Sequence, residues 1–257
     1  MKIANRKSSH ELFSNAAAKR TLHKNLEFTA TEQYKLLRTN LDFTIPHGTK
    51  CPVIGITSAM RGEGKSTTAV NISYVLAEKG NKVLLIDGDL RIPSIAKKLD
   101  IPSSPGLTDM LMGREVDMSK KESDFAKGWY ILPSGDIPPN PSELLGSKRM
   151  EKILAELREE FDYIIIDLTP VNIVSDALSI SSLVTGMLIV VREEYTEKKE
   201  IEHCFRQLKL SNATVLGCVM NVTKSGASSY GKYKRYKYYK YYRYYYKKSE
   251  KPEDRKP

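Results

Sequence analysis

More than any other feature, one segment limits the folds that this chain can adopt. It is Ala-Met-Arg-Gly-Glu-Gly-Lys-Ser, at residues 59–66. It has the spacing of a phosphate-binding P-loop, with alanine in the place of the first glycine. Gly62 and Gly64 allow the main chain to curl so that its N–H groups point inward, and a helix beginning at about Lys65 adds the positive end of its dipole. The pattern predicts that Lys65 contacts the β- and γ-phosphates of a nucleotide and that the Ser66 hydroxyl binds Mg²⁺. The predicted phosphate-binding residues are Gly62, Glu63, Gly64, Lys65, Ser66 and Thr67.

Apolar segments of strand length alternate with helical patterns along most of the chain. The predicted strands are Val53–Thr57, Val83–Ile86, Trp129–Leu132, Tyr163–Ile166, Gly186–Val191 and Thr214–Met220. The predicted helices cover residues 31–41, 65–79, 147–160 and 196–210. Because the strands are apolar along their whole length, they are typical of a parallel sheet that is buried on both faces. The predicted fold class is therefore α/β: a P-loop NTPase with a mostly parallel sheet flanked by helices on both faces.

Three aspartates follow two of these strands. Asp87 and Asp89 come after the second strand, and Asp167 follows the fourth. Each alone is typical of a residue that caps a helix. Together they lie where open α/β sheets bind ligands, at the carboxyl ends of the strands, and a Mg²⁺ ion would offset their mutual repulsion. The predicted metal ligands are Ser66, Asp89 and Asp167.

The charge of the chain is concentrated in one segment. The formal charge is +10, but residues 230–257 hold eleven basic and three acidic residues, a net +8 that leaves only +2 elsewhere. We predict an N-terminal arm at residues 1–28, a nucleotide-binding domain at 29–223 and a flexible Tyr/Lys-rich tail at 224–257. No segment has the apolar length of a membrane span or of a signal peptide, and three cysteines far apart suit a reduced, cytoplasmic protein.

The tail contains ten of the fifteen tyrosines of the protein, interleaved with six lysines and arginines. The ten are Tyr230, Tyr233, Tyr236, Tyr238, Tyr239, Tyr241, Tyr242, Tyr244, Tyr245 and Tyr246. Aromatic and basic residues in this pattern suit single-stranded nucleic acid, an anionic membrane surface, or a set of phosphoryl acceptors. Composition alone does not choose among the three.

The chain resembles the bacterial tyrosine kinases (BY-kinases), specifically the cytoplasmic catalytic subunit of the split Gram-positive type. Besides the P-loop, the resemblance rests on the Asp-x-Asp-x-Arg segment that ends at Arg91, on Asp167, on Pro-Pro-Asn-Pro-Ser-Glu-Leu-Leu at residues 138–145, and on the tyrosine-rich end. It implies an ATP- and Mg²⁺-dependent protein-tyrosine kinase with Lys65, Asp87 and Asp89 as catalytic residues. Asp87 is then the residue that receives or orients the phenolic proton, and the ten tail tyrosines are the phosphoacceptors.

The resemblance also implies partners. They are a homo-oligomer, whose interface would include Glu32, Lys35 and Arg38, a cognate phosphotyrosine phosphatase, and a membrane-anchored activator or polysaccharide co-polymerase subunit. That activator would recruit the cytoplasmic kinase to the inner face of the cell membrane, where it would regulate capsular or exopolysaccharide synthesis and export. No nucleic-acid partner is expected.

Two segments depart from the family pattern. After Asp167 the chain reads Leu-Thr-Pro rather than Thr-Pro-Pro, and its interface helix carries Lys35 where the family has arginine. Lysine keeps the charge but lacks the planar fork for bidentate pairing, so we expect a weaker interface; a plain amphipathic helix with solvated charges is the alternative interpretation.

Two other functions remain open. One is a nucleotide-switch ATPase of the partitioning or division-site type, whose basic tail binds nucleic acid or membrane. That class has a lysine early in the P-loop, where this chain has Met60 followed by Arg61. The other is a non-enzymatic, nucleotide-dependent scaffold for a membrane complex.

Overall fold

The computed structural model describes residues 26–222, so the predicted arm and tail lie almost wholly outside the described residues. A single sheet of six parallel strands organises this part of the chain, in the order β3-β2-β4-β1-β5-β6. The strands are β1 (Val53–Ser58), β2 (Val83–Asp87), β3 (Trp129–Leu132), β4 (Tyr163–Asp167), β5 (Gly186–Arg192) and β6 (Val215–Asn221). The predicted fold class is confirmed.

Eight α-helices connect or precede the strands within residues 26–222. They are α1 (Phe28–Thr44), α2 (Lys65–Glu78), α3 (Ile95–Leu99), α4 (Leu107–Leu111), α5 (Pro141–Leu145), α6 (Lys148–Glu160), α7 (Asp176–Ser179) and α8 (Lys198–Leu210). In this part of the chain no helix is both long enough and apolar enough to cross a membrane.

The helices bury the sheet from both sides, which is why its strands are apolar throughout. On one face α1 and α2 pack over Ile54, Ile56 and Ile165. On the other face α6 and α8 pack over residues that include Ile164 and Ile189. The edge strand β6 is only partly covered.

The strand boundaries change where the predicted carboxylates lie. Asp87 and Asp167 are the last residues of β2 and β4, rather than residues beyond the strands, and they are register partners in the sheet. Asp89 alone lies past the end of its strand. Helix α1 is longer than predicted at both ends, and β6 begins and ends one residue later than predicted. The four short helices α3, α4, α5 and α7 were not predicted, because each is at most five residues long and carries little periodic signal.

Candidate nucleotide and catalytic site

The P-loop connects β1 to α2 at the carboxyl edge of the sheet, with Lys65 as the first residue of the helix. Gly62 and Gly64 have φ angles of 77° and 100°, a region that favours glycine. A Cβ atom on Gly64 would lie 2.2 Å from the side-chain nitrogen of Asn221. The loop therefore needs glycine at this position both for its backbone conformation and for the approach of β6.

Lys65 connects the P-loop to the acidic residues. Its ammonium nitrogen lies 3.0 Å from Oδ2 of Asp89 and 3.6 Å from Oδ1 of Asp167. All three side chains are nearly or fully buried, with exposed fractions of 12%, 9% and 0%. The residues predicted from separate motifs thus meet at one point, because β1, β4 and β2 are consecutive in the sheet.

Asp87 lies deeper than Asp89 and is fully buried. Its Oδ2 atom accepts hydrogen bonds from the main-chain N–H groups of Ser94 and Ile95, each at 3.0 Å, and its Oδ1 atom accepts one from Asp89 at 3.3 Å. This carboxylate therefore fixes the turn that leads from β2 to α3.

Burial and mutual repulsion shape the ionisation of this cluster. Burial raises the pKa of Asp87 to about 7, and the charge of Asp167 adds to the rise. Burial also raises the pKa of Asp167, against the opposing effects of Lys65 and of the Ser66 hydroxyl. For Lys65, the attraction of Asp167 and Asp89 outweighs burial, so its pKa is raised and it stays charged. The site holds more buried negative charge than its one lysine offsets.

The residues around Asp167 fit a divalent cation. Neither carboxylate oxygen of Asp167 accepts a hydrogen bond of ordinary geometry within residues 26–222, although both are buried. Lys65 lies 3.6 Å from Oδ1 of Asp167 but is closer to Asp89, so burial of the Asp167 carboxylate is costly unless a further cation binds it. In the same part of the chain no group of three or more His, Cys, Asp or Glu side chains forms a metal cage. An open site of this kind suits Mg²⁺, which usually binds one or two carboxylates together with water and phosphate oxygens.

The side chain of Glu63 does not face the phosphate position. It is fully buried, and its carboxylate accepts a hydrogen bond from the N–H of Met60 at 2.7 Å and another from the hydroxyl of Thr196. The prediction that Glu63 binds phosphate can therefore apply only to its main-chain N–H. Asn221 donates to the Glu63 carbonyl at 2.8 Å, and Arg192 donates to the Gly62 carbonyl at 3.1 Å.

These contacts brace the P-loop from the side of β5 and β6, opposite to the carboxylates. Sequence reasoning missed Arg192, Thr196 and Asn221. Their positions just at or after the ends of two predicted strands were the available signal, by the same rule that identified the aspartates.

A second network surrounds Arg91. The sequence motifs include Arg91 and the segment that contains Ser142, but they gave no signal for Asp176. Its guanidinium forms two hydrogen bonds with Asp176, at 2.8 and 2.9 Å, and one with Ser142 at 3.2 Å. Ser142 also donates to Asp176. This network joins the segment after β2, the start of α5 and the segment after β4.

The residues predicted for an oligomer interface lie on α1. Lys35 and Glu32 form an ion pair within the helix at 2.9 Å, whereas Arg38 donates to the carbonyl of Val75 on α2 at 2.8 Å. Arg38 thus holds α1 on its own domain. The ten predicted phosphoacceptor tyrosines lie outside the described residues.

Comparisons with known proteins identify relatives of this chain. A family model described as an AAA domain matches residues 51–216. The chain is 38% identical to "Tyrosine-protein kinase YwqD" of Bacillus subtilis over 78% of this chain and 85% of that protein. It is 37% identical to "Tyrosine-protein kinase CpsD" of Streptococcus pneumoniae over 81% of this chain and 92% of that protein.

Two solved structures have a similar fold. "The chimerical protein CapA2B2" superposes with a TM-score of 0.73 at 30% identity, covering 80% of this chain and 89% of that chain. The division protein MinD of Pyrococcus horikoshii, solved with Mg-ADP, gives a TM-score of 0.56 at 25% identity, covering 70% of this chain and 72% of that one. The chain has a P-loop whose Lys65 pairs with Asp89 and Asp167, and its relatives match over most of their length. We conclude that this chain belongs to the bacterial tyrosine-protein kinases, of the type found in Gram-positive bacteria.

Proposed function

We propose that this kinase transfers the γ-phosphoryl group of ATP to the tyrosines of its own C-terminal segment, from one copy to another, and that it thereby regulates capsular or exopolysaccharide synthesis and export. The observation that carries the proposal is the position of Lys65, at the start of α2 and within 3.6 Å of two carboxylates. The second support is the sequence of residues 230–246, which offers ten phenols in seventeen positions.

Each site residue has a proposed role. The main-chain N–H groups from Gly62 to Thr67 hold the phosphates, and Lys65 offsets the charge that develops on them in the transition state. Asp87, by family resemblance, orients or accepts the phenolic proton as the hydroxyl attacks phosphorus in line. Because Lys65 mainly neutralises charge, its substitution should lower the rate of transfer without changing the fold.

Mg²⁺ is the proposed cofactor. Ser66, Asp89 and Asp167 would hold it, and the bound ion would neutralise charge on the phosphate oxygens. The buried Asp167 oxygens, which accept no hydrogen bond of ordinary geometry within residues 26–222, support this assignment. The presence of Mg-ADP in the MinD structure, which shares the fold, is consistent with it.

The net charge of the tail changes as its tyrosines are phosphorylated. Unmodified, residues 230–257 carry +8 and are attracted to a site rich in carboxylates and phosphates. Each phosphotyrosine adds about −1.5 to −2, so four or five cancel the charge and ten invert it to about −7 to −12. We propose that heavy modification repels the tail and releases an oligomer.

Reach alone permits transfer within one copy as well as between copies. Tyr230 follows Asn221, the end of β6, by nine residues, which span at most about 30 Å. In the sheet, β6 lies three strands from β4, a distance of about 14 Å at the usual strand spacing. An experiment on transfer must therefore separate the two routes.

Mixing two variants separates them. Lys65→Met keeps every tyrosine but should lose transfer, and the variant with all ten tail tyrosines replaced by Phe should keep the site but lose the acceptors. Each alone should give no phosphotyrosine with Mg-ATP, whereas a mixture should label the Lys65→Met chains if transfer occurs between copies. Mass spectrometry of the tail identifies the labelled residues. Label that enters the tenfold Phe variant at the wild-type rate would refute the tail as acceptor.

The proposed partners follow from the relatives. The structural neighbour is named as a chimera of CapA and CapB sequences, which supports a membrane-anchored activator whose cytoplasmic part contacts this chain and recruits it to the inner face of the membrane. We also propose a homo-oligomer that includes Glu32, Lys35 and Arg38 in its interface, and a cognate phosphotyrosine phosphatase. The assay above should be run with and without the cytoplasmic segment of a candidate activator.

The nucleotide-switch ATPase is the second candidate, because MinD shares the fold. ATP hydrolysis without phosphotyrosine, together with steeply salt-dependent binding of DNA, would favour it. That class has a lysine at the position of Met60, which Arg61 follows in this chain. The absence of that lysine argues for the kinase.

A further inference from the structure

Arg91 and Asp176 form a long-range ion pair beside the catalytic site. Asp176 is fully buried, and both of its oxygens accept from the guanidinium, whose own side chain is 38% exposed. Ser142 completes the network by bonding to both partners. Bidentate pairs of this geometry hold their two segments in one relative arrangement.

The network adds a side-chain link between segments that main-chain hydrogen bonds hold at the ends of the strands: Gly88 donates to the Asp167 carbonyl at 2.8 Å, and Val171 donates to the Ser58 carbonyl at 2.9 Å. Strands β2 and β4 pair as far as Asp87 and Asp167, where both strands end. Beyond that point, Asp89 accepts a hydrogen bond from Ile92 at 3.0 Å, which makes residues 89–92 a tight turn with Arg91 inside it. Because Arg91 binds Asp176, the turn that carries Asp89 is fixed to the segment that follows Asp167.

The pair shares no residue with the contacts that brace the P-loop from β5 and β6. Glu63, Arg192 and Asn221 brace that loop from β5 and β6, and none of them bonds to Arg91 or Asp176 in the described part of the chain. The pair therefore acts on the segments that carry Asp89 and follow Asp167, rather than on the β5 and β6 contacts of the P-loop.

Each of the three joined segments also carries an exposed isoleucine. Ile92, Ile137 and Ile173 are 56%, 66% and 40% exposed. Ile92 adjoins Arg91, Ile137 lies shortly before α5, and Ile173 lies shortly before α7. Each lies within five residues of Arg91, Ser142 or Asp176, and an exposed apolar side chain suits the aromatic ring of an incoming tyrosine.

We propose that Arg91 and Asp176 are positioning residues for the phosphoryl acceptor: they hold the segments after β2 and β4 and the start of α5 in the arrangement that presents a tyrosine to the nucleotide. The inference rests on the proposed kinase function. It predicts that loss of the pair lowers the rate of transfer to tyrosine and leaves the binding of nucleotide as it is.

The test compares Arg91→Lys, Asp176→Asn and the double variant with the wild-type full chain. Arg114→Lys is the matched control, because Arg114 forms an ion pair with Asp109 at 2.8 Å but only within its own turn. Transfer is measured over a range of Mg-ATP concentrations up to saturation, with a synthetic peptide of residues 228–248 as acceptor. We expect kcat to fall about 10- to 100-fold in each single variant, no further in the double variant, with an unchanged KM for ATP.

Hydrogen exchange supplies a readout that does not depend on activity. In Arg91→Lys and Asp176→Asn, amides of residues 89–95 and 168–176 should exchange faster together, while those of residues 60–67 should not change. Wild-type exchange in both segments, an unchanged kcat, or a KM for ATP that rises as kcat falls would each overturn the inference. A wild-type chain that never forms phosphotyrosine would instead refute the proposed function, and hydrogen exchange would still decide whether the pair joins the segments.

Discussion

Replacing Glu63 by alanine should weaken both the fold and nucleotide binding, although its side chain cannot reach the nucleotide. The buried carboxylate accepts two hydrogen bonds, from the Met60 N–H and from the Thr196 hydroxyl. Hydrogen bonds to a charged group contribute about 1.5–3 kcal/mol each, so the loss of both should lower the free energy of unfolding by about 3–6 kcal/mol. A domain of this kind is stable by about 5–15 kcal/mol, and the variant should therefore still fold in the cold.

Nucleotide affinity should fall because the loop loses its brace. The Glu63 carboxylate links the Met60 N–H to the Thr196 hydroxyl, and without it the P-loop loses this link to the segment after β5. We expect the Kd for Mg-ADP to rise about tenfold or more, which corresponds to about 1.4 kcal/mol for ordering the loop on binding. Thr196→Val removes one of the two bonds and should give a smaller change in the same direction.

Urea unfolding followed by circular dichroism measures the stability, and titration calorimetry with Mg-ADP measures the affinity. Glu193→Ala is the control, because Glu193 is an exposed glutamate near Thr196. The reasoning is refuted if Glu63→Ala changes stability by no more than about 0.5 kcal/mol, as an ordinary surface substitution does, or if it leaves the Kd at the wild-type value.

Three further predictions concern the metal site, the core and the thiols. Asp167→Asn should remove the Mg²⁺ dependence of nucleotide affinity and raise the Tm of the nucleotide-free protein by a few degrees, because it removes one of two buried negative charges that share Lys65 and leaves the closer pair with Asp89 intact; a lower Tm in differential scanning calorimetry would contradict this. Trp129→Phe should cost about 2 kcal/mol in urea unfolding, since Trp129 is fully buried and donates to Ser73 at 3.0 Å; an unchanged midpoint would count against it. Burial raises the pKa of Cys204 to about 12, so a thiol reagent near pH 8 should modify the exposed Cys218 first. Cys204 should react faster as pH rises toward that value, because more of it becomes thiolate; equal rates at pH 8 would be inconsistent with the structure.

The sequence predicts most of this fold because its strongest signals are local. All six strands, from Val53 to Asn221, appear as short apolar runs between helical patterns, and the P-loop is recognisable from eight consecutive residues. The rule that ligands bind at the carboxyl ends of parallel strands is enough to predict that Lys65, Asp89 and Asp167 lie close together.

The sequence does not predict side-chain partners, because these depend on pairs far apart in the chain. Arg91 and Asp176 are 85 residues apart and Glu63 and Thr196 are 133 apart, and neither pair has a local pattern. A glutamate in a glycine-rich loop looks like a surface residue, and only the position of β5 beside β1 shows why it is buried.

The order of the strands divides the site into two parts that different residues control. The P-loop follows β1, and its braces come from β5 and β6 on one side, whereas the carboxylates and the Arg91 network come from β4 and β2 on the other. MinD shares the fold at a TM-score of 0.56. We infer that the use of a tyrosine as phosphoryl acceptor depends on the segments after β2 and β4, which Arg91 and Asp176 join beyond the ends of the two strands.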